Sequence, residues 1–457
     1  MNNYIVRPKT TDQLLLTRYC SFVGIDTGGT RETSELLFDD FEEHDESENL
    51  KEKIYHRLEH DRQEIADRAQ AAYSKETMAK KYMEEYDRNG HRERILLIDV
   101  NCKGSSTGKI VYDLYSSIRA SGRSASICYG RGEKIEEKDI HKFGVDWETK
   151  FHGGMARLTG YNGYFSPVST QRLIRFIEEF KPDLIHMHEL HAYFVNIKPL
   201  VTYIKAKRIP LIWTFHCEYM YTGKCGHAYE CTNFQYECGN CPAVRDYPKS
   251  LFFDKTKQML KMKKELLNDL DFTIITPSQW LADRVEVSFL RDKEIKVIHN
   301  GIDTDVFHPT DASELRCALK IKKDTKIFLF VAPDVMSVRK GGHWILKLAK
   351  KMIDYNCVFI LVGNGTPPEL KPINTIFVGA VKDQSELVAY YSIADCFLLC
   401  SEKETYSMTC AEALCCGIPV IGFKCGAPET VFAEPDAKFV NYGDLEQIEV
   451  LIKENIL

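Results

Sequence analysis

Short apolar runs alternate with amphipathic segments from residue 94 onward. One series of runs reads RILLIDVN (94–101), SASICYG (124–130), PDLIHMH (182–188), IPLIWTFH (209–216) and FTIITPS (272–278). A second series reads KIFLFVAP (326–333), CVFILVGNG (357–365), NTIFVGAV (374–381), DCFLLCSE (395–402) and IPVIGF (418–423). Apolar strands that alternate with helices are typical of parallel sheets covered on both faces. The predicted fold class is therefore α/β, with two doubly wound Rossmann-like domains facing a cleft.

The predicted join between the two domains lies near KVIHNGIDTDVFHP (296–309), where Asn-Gly and His-Pro interrupt the pattern. We therefore assign residues 93–295 to an N-terminal Rossmann-like domain and residues 296–457 to a C-terminal one. Residues 1–92 form an N-terminal extension with the pattern of two polar helices. Their apolar stripes contain Leu50, Ile54, Leu58 and Ile65 in the first helix and Met78, Tyr82 and Tyr86 in the second.

Composition narrows the class of protein. The 457 residues are 44% apolar and 28% charged, as in a globular protein, and the net charge of −6 gives no indication of a nucleic-acid partner. No apolar run reaches the roughly 18 residues of a membrane span, and the N-terminus has no signal-peptide core. We expect a cytoplasmic address. The sixteen cysteines are then expected to be reduced thiols or metal ligands rather than disulfides.

Two glutamates, Glu404 and Glu412, flank the predicted start of a helix in SEKETYSMTCAEALCCGIPVIG (401–422). In a doubly wound domain, ligands bind beyond the carboxyl ends of the strands. The backbone amides of Thr405, Tyr406, Ser407 and Met408 would face this crevice and attract phosphate. Carboxylates on either side accept hydrogen bonds from hydroxyls, so a nucleotide-sugar fits. Two solvated acids are the alternative that spacing alone leaves open.

The E-x7-E spacing, followed by ALCCGIPVIGFKCGAPE, resembles the signature of the retaining glycosyltransferases of family four, which have the GT-B fold. HNGIDTDVFHP, VRKGG (338–342) and FVGAVKDQSELVAYYSIADCFLLCSE resemble other segments of that family, and the resemblance covers about residues 94–452. The segments at 101–132 and 212–254 resemble the bacterial colanic-acid and capsular-polysaccharide glycosyltransferases. The resemblance implies a hexosyltransferase with a donor-binding C-terminal domain and an acceptor-binding N-terminal domain.

The resemblance also implies roles for individual residues. Lys340 and Arg339 would pair with the donor diphosphate, where charge builds as the glycosidic bond breaks. Glu404 would hold the hydroxyls of the donor sugar, and Glu412 those of the ribose. The family commonly has an arginine about five residues before the lysine, where this chain has Val335.

Three further residues are expected at the same cleft. Asn364 follows a strand and would line the crevice, and Gly108 would let the donor approach the first helix of the N-terminal domain. His216, in WTFHC, matches the active-site histidine of the family. A metal site at His186, His188 and His191 is disfavoured, because this strand end lines the acceptor cleft in the family.

Four cysteines are spaced C-x5-C-x6-C-x2-C, and they are Cys225, Cys231, Cys238 and Cys241. The last pair has the spacing of a tetrahedral thiolate site. Structural zinc, unligated thiols and disulfides remain open as interpretations.

The expected function is transfer of a sugar from a UDP- or GDP-sugar to a saccharide or lipid-linked acceptor in cell-surface polysaccharide biosynthesis. No catalytic metal is expected, since no acid pair suited to one is evident. Peripheral association with the inner face of the plasma membrane is compatible with this expectation. The alternative is a catalytically inactive GT-B module in a polysaccharide-assembly complex.

The extension carries a resemblance of its own. FVGIDTGGTRETSELLF (22–38) resembles VIGFKCGAPETVFAEPD (420–436). In this comparison Gly24 corresponds to Gly422, Gly29 to Gly426 and Glu32 to Glu429. The residues that follow resemble the family's terminal helices, which would otherwise come after EQIEVLIKENIL. We expect residues 1–92 to derive from such a tail by fusion or permutation, with helices at about 48–88 docked where terminal helices normally lie. An unrelated extension is the alternative.

Overall fold

The structure, a computed structural model, describes residues 61–88, Gly90 and residues 92–456. The predicted apolar positions Leu50, Ile54 and Leu58, and the glycine-rich segment at 22–38, lie outside the described residues.

The first α/β unit contains a seven-stranded sheet in the order β3-β2-β1-β4-β5-β6-β7. All neighbouring strands in it are parallel. The strands are β1 (Arg94–Asp99), β2 (Ser124–Tyr129), β3 (Ile140–Lys142), β4 (Leu184–Met187), β5 (Leu211–Thr214), β6 (Thr273–Thr276) and β7 (Glu294–Val297). The helices of this unit are α2 (Ser106–Ala120), α3 (Asp146–Thr159), α4 (Pro167–Phe180), α5 (Ile197–Lys207), α6 (Thr256–Leu267) and α7 (Gln279–Glu286).

The second unit contains a six-stranded parallel sheet in the order β10-β9-β8-β11-β12-β13. Its strands are β8 (Lys326–Asp334), β9 (Cys357–Asn364), β10 (Thr375–Gly379), β11 (Cys396–Leu399), β12 (Val420–Phe423) and β13 (Ala437–Val440). Its helices are α8 (Ser313–Ala318), α9 (Gly342–Lys351), α10 (Gln384–Ile393), α11 (Met408–Cys415), α12 (Pro428–Val431) and α13 (Leu445–Asn455).

The continuous apolar character of the strands follows from burial on both faces of each sheet. In β1, Leu96 and Ile98 belong to one core cluster, whereas Ile95 and Leu97 belong to another on the opposite face. Successive side chains of a strand point to opposite faces, so a strand with helices above and below must be apolar at every position. The predicted fold class, two doubly wound parallel sheets, is confirmed.

The described part of the extension contacts both units. Residues 61–73 are helical and pack on the second unit, where the Arg62 guanidinium donates to Ser392 O and Ala394 O at 2.8 and 2.6 Å. The Tyr73 hydroxyl donates to Val431 O at 2.8 Å. Ser74 then caps helix α1 (Lys75–Asp87), because its hydroxyl oxygen accepts a hydrogen bond from Thr77 N at 3.2 Å.

Helix α1 packs on the first unit. Its buried residues Met78, Ala79, Tyr82 and Tyr86 share a core cluster with residues of β1 and α2. The extension thus crosses from one α/β unit to the other at Ser74. Among the described residues, no helix combines the length and the apolar content that crossing a bilayer requires.

Candidate active site

A cleft of about 430 Å³ lies between the two units. It opens at the carboxyl ends of the parallel strands, where ligands of doubly wound folds bind. From the first unit it is lined by Lys103, Gly104, Ser105, Ser106, Thr107, Lys109, Ile110, His216 and Asn300, and from the second by Pro333, Lys340, Gln384, Glu404, Thr405, Tyr406, Ser407, Met408, Thr409 and Glu412.

The turn before α11 is held in place from several sides. Glu404 N donates to Cys425 O at 2.8 Å, and the Tyr406 hydroxyl donates to Asn300 O at 3.0 Å. Ser407, the residue before α11, has φ 83°, a left-handed conformation that is uncommon for a residue other than glycine. Strained backbone of this kind persists where the surroundings over-determine it, and it often marks a ligand site.

Glu404 and Lys340 form an ion pair in the cleft, with 2.5 Å between Glu404 Oε1 and Lys340 Nζ. Burial by itself would raise the pKa of Glu404. The Lys340 ammonium and the nearby Arg339 guanidinium outweigh burial and hold this pKa below its ordinary value. Glu404 is therefore a carboxylate that only accepts hydrogen bonds at neutral pH.

The loop that carries Lys340 depends on two glycines. A Cβ on Gly341, which has φ 85°, would lie 1.9 Å from Cys400 O, and one on Gly342 would lie 1.7 Å from Val335 O. No side chain fits at either position. The glycines allow the loop to pass directly against the strand end that leads to Glu404, which brings Lys340 to the carboxylate.

Glu412 lies on α11 and accepts a hydrogen bond from the Tyr391 hydroxyl at 2.9 Å. Burial raises the pKa of Glu412 to about 7, while the Tyr391 hydrogen bond and the Lys109 charge act in the opposite direction. Lys109 belongs to α2 of the first unit, so the two units contribute opposite charges to this end of the cleft.

His216 lies at the end of β5 and is nearly buried. Its Nε2 is 3.0 Å from His188 Nδ1, and the Thr405 hydroxyl donates to His216 O at 2.8 Å. Burial lowers the pKa of His216 to about 4, although Glu189 opposes this. The imidazole is thus neutral at physiological pH and offers one donor and one acceptor.

A buried network joins this histidine to the extension. Tyr86 of α1 contacts His186 Nδ1 at 2.7 Å, and His186 Nε2 lies 2.8 Å from the Thr214 hydroxyl. The rings of His186 and His188 are 4.1 Å apart, and His188 contacts His216 directly. Burial lowers the pKa of His186 to about 3. His186 and His188 are therefore neutral and packed against each other.

Three of the predicted site residues do not line the cleft as the structure places them. Gly108 is buried, and a Cβ there would lie 3.1 Å from Asn101 C and O. Asn364 is exposed and donates from Nδ2 to Pro333 O at 3.1 Å. Arg339 is half-buried and acts on Glu404 through its charge. Val335 is fully buried in the core of the second unit, so its position does not face the cleft.

The sequence interpretation missed the contribution of residues 103–109. Lys103, Thr107 and Lys109 line the cleft from the loop before α2 and from its first turn. The segment GSSTGKI does not have the spacing of a P-loop and was therefore set aside. It nevertheless contains a Gly-Ser-Ser turn, a helix N-terminus and a lysine. The position of this segment directly after a predicted strand was the signal that could have identified it as part of the site.

The four clustered cysteines do not converge on a common point. A hydrogen bond between Cys225 and Cys241 raises the pKa of the first thiol and lowers that of the second to about 7. Within the described residues, the one set of three candidate ligand atoms lying within 4.8 Å of one another is Glu189, His191 and Cys217. This geometry adds no support for zinc at the four cysteines, and structural zinc there stays a prediction.

The Glu189, His191 and Cys217 set is explained without a metal. His191 Nε2 lies 2.7 Å from Glu189 Oε2, and the Cys217 thiol donates to the same oxygen at 3.2 Å. Glu189 raises the pKa of His191 against the effect of burial. An ion pair and a thiol hydrogen bond therefore satisfy these groups.

Two family models match the chain. The model described as Glycosyltransferase Family 4 matches residues 108–306, and the model described as Glycosyl transferases group 1 matches residues 325–454. The colanic acid biosynthesis glycosyl transferase WcaC of Escherichia coli is 24% identical over 375 residues, which are 79% of this chain and 91% of that protein. The alpha-monoglucosyldiacylglycerol synthase of Acholeplasma laidlawii is 26% identical over 276 residues, which are 57% of this chain and 63% of that protein.

Solved structures share the fold. Sucrose-phosphate synthase from Thermosynechococcus elongatus superposes with a TM-score of 0.54 at 18% identity, covering 79% of this chain and 89% of that one. HepE from Anabaena, in complex with UDP and glucose, superposes with a TM-score of 0.52 at 16% identity and the same coverage.

Proposed function

We propose that the chain, which matches two glycosyltransferase family models, is a family-four enzyme that transfers a sugar, with retention of anomeric configuration, from a UDP- or GDP-sugar to a saccharide or lipid-linked saccharide acceptor in cell-surface polysaccharide biosynthesis. The observation that carries the proposal is the single cleft shared by the Glu404–Lys340 pair, the N-terminus of α11 and His216. The similarity to WcaC and to a protein of the cps region of Klebsiella pneumoniae supports the biosynthetic setting.

The donor diphosphate is placed at the N-terminus of α11. There the amides of residues 405–408 and the Lys340 ammonium offer positive charge to the leaving group as the glycosidic bond breaks. Lys340 is already oriented by Glu404, so little reorganisation accompanies the reaction. In this proposal lysine and backbone amides stabilise the leaving diphosphate, and the reaction uses no catalytic metal.

The two glutamates are assigned to the two ends of the donor. Glu404 is ionised at neutral pH and accepts hydrogen bonds from hydroxyls of the transferred sugar. Glu412 lies about one helical turn into α11, beside Tyr391, and is assigned to the ribose hydroxyls. The chain of contacts therefore runs from sugar to diphosphate to ribose along one helix end.

His216 faces the same cleft from the first unit. As a neutral imidazole it contributes a hydrogen bond to a hydroxyl of the donor sugar or of the acceptor, without bringing a charge. We accordingly assign acceptor binding to residues 93–295 and donor binding to residues 296–457. The described part of the extension, residues 61–88, is assigned the position of a terminal helix pair that contacts both units.

Turnover of Lys340→Ala and Glu404→Gln tests the proposal. Each variant is expected to be roughly 100-fold slower than wild type in nucleotide release from the donor, the scale of one lost transition-state contact. Lys350→Ala, an exposed lysine on α9 outside the cleft, is the matched control and is expected to keep full activity. Wild-type rates in both cleft variants would refute the site. The anomeric proton coupling of the product, measured by NMR, separately tests retention.

A further inference from the structure

Helix α3 of the first unit buries two polar side chains, Glu148 and His152, and exposes three large apolar ones. Glu148 is buried, and its carboxylate accepts hydrogen bonds from Val168 N and Ser169 N, both at 2.8 Å. His152 is fully buried and accepts from Gly163 N at 3.0 Å. Polar side chains of a surface helix usually face water, but Glu148 and His152 form hydrogen bonds within the protein.

The opposite face of α3 presents large apolar residues to solvent. Trp147, Phe151 and Leu158 are 62%, 53% and 50% exposed. They lie four and seven residues apart, a spacing that places them on one side of the helix. Single exposed apolar residues are common, but an aligned stripe with tryptophan and phenylalanine marks an interaction surface.

A neighbouring loop extends this surface. Leu251, Phe252 and Phe253 are 42%, 69% and 55% exposed. The loop is fixed beside the end of α3, because Leu251 N donates to Arg157 O at 2.9 Å. Six exposed apolar side chains from two segments therefore form one continuous patch, which we call the α3 patch.

Three exposed cations flank the α3 patch, together with one exposed acid of the loop, Asp254, in a chain whose net charge is −6. Lys150 and Arg157 are exposed on α3 itself, and Lys249 is exposed just before the loop. The exposed acid of α3, Asp146, is paired with Lys142 at 2.7 Å. Aromatic side chains interleaved with lysine and arginine match the interface of a membrane that contains anionic lipids.

We propose that the α3 patch docks the protein on an anionic lipid bilayer, with Trp147, Phe151, Phe252 and Phe253 inserted at the level of the headgroups. Lys150 and Arg157 are placed to contact lipid phosphates while the aromatic rings enter the acyl boundary. The patch contains none of the residues that line the cleft, so this docking and the transfer reaction can fail independently.

A line of aromatic residues connects the α3 patch with the acceptor side of the cleft. The Arg157 guanidinium lies 5.9 Å from the ring of Tyr193, whose ring is 6.1 Å from that of Tyr247. The Tyr247 hydroxyl lies 3.4 Å from His191 Nδ1, near the strand end that carries the histidine network. Side-chain contacts therefore link the α3 patch to His191 in the first unit.

Co-sedimentation of the full chain with vesicles tests the proposal. Wild type is expected to bind vesicles of phosphatidylcholine and phosphatidylglycerol, to bind pure phosphatidylcholine much less, and to lose binding as salt is raised. The double variant Phe151→Ser/Phe252→Ser is expected to bind at least roughly tenfold more weakly, since two inserted rings are lost. Leu370→Ser/Ile373→Ser is the matched control, because these residues are 97% and 90% exposed on the second unit. It is expected to bind like wild type.

Tryptophan fluorescence locates the contact. The chain has four tryptophans, and Trp147 is the one among them with an exposed side chain. Vesicles with brominated acyl chains are expected to quench wild type and to leave Trp147→Phe unquenched. Wild type that does not bind anionic vesicles, or a control variant that loses binding as much as the patch variant, would overturn the proposal. So would a patch that proves to join two copies, seen as a dimer that only the patch variant dissociates.

Discussion

Glu412 makes nucleotide binding depend on pH in a way that the structure sets quantitatively. Burial raises the pKa of this carboxyl to about 7, so ionisation changes between pH 6 and 8. Ribose hydroxyls donate to the carboxylate, and protonation removes part of that acceptor capacity. With a pKa near 7, about 90% of the group is ionised at pH 8 and about 9% at pH 6. Affinity carried by the ionised form should therefore fall about tenfold over this range.

Isothermal titration calorimetry with a nucleotide-sugar measures this dependence directly. Glu412→Gln keeps the size of the side chain and cannot ionise, so its affinity should vary little between pH 6 and 8. The ratio of wild-type to variant affinity isolates the contribution of Glu412 from any other titrating group. A ratio that is the same at both pH values would show that the carboxylate does not bind the ribose, or that its pKa is ordinary.

The same pKa has an opposite effect on the free protein. The folded-state value lies above the ordinary glutamate value, so ionisation of Glu412 opposes folding. Its favourable contribution is complete below the ordinary value and is lost as pH rises through about 7. The melting temperature of ligand-free wild type should accordingly fall more between pH 5 and 8 than that of Glu412→Gln.

Three further outcomes are expected. Tyr86→Phe should leave the buried His186 Nδ1 without its partner and lower the free energy of unfolding by about 1–3 kcal/mol in urea titrations; an unchanged value would contradict the network. Gly301→Val should lower the melting temperature, because a Cβ there would lie 2.6 Å from Lys75 Cα; equal stability would show that α1 docks elsewhere. Metal analysis of protein purified without chelator should find about one zinc per chain if Cys225 and its neighbours bind one, and metal-free, fully stable protein would exclude that site.

The strands and the position of the cleft could be predicted because local pattern determines them. A run such as RILLID has four successive apolar residues between its charged ends, as expected for a strand that is buried on both faces. Glu404 and Glu412 could be placed at a helix start because both lie on one short segment. These inferences needed no knowledge of how distant segments meet.

The remaining features depend on contacts between segments far apart in sequence. Lys109 is significant because α2 and α11 line the same cleft, which brings the Lys109 charge near Glu412. The sequence around residue 109 gives no indication of this contact. The burial of Val335 is likewise a property of the second unit's core, not of the loop sequence. A metal site at His186 was disfavoured from the sequence, but its contact with Tyr86 of the extension, a hundred residues away, could not be inferred.

The extension passes from one unit to the other beside the segment that links the two sheets, near Ser74 and Ile302. Lys75 N donates to Ile302 O at 2.8 Å, and Ile302 N donates to Tyr73 O at 2.7 Å, so two crossing segments run side by side. A single connecting strand would let the units twist as well as bend. Two connecting segments joined by backbone hydrogen bonds resist twisting of one unit against the other. We therefore expect relative motion of the two units to be mainly bending near Ser74 and Ile302.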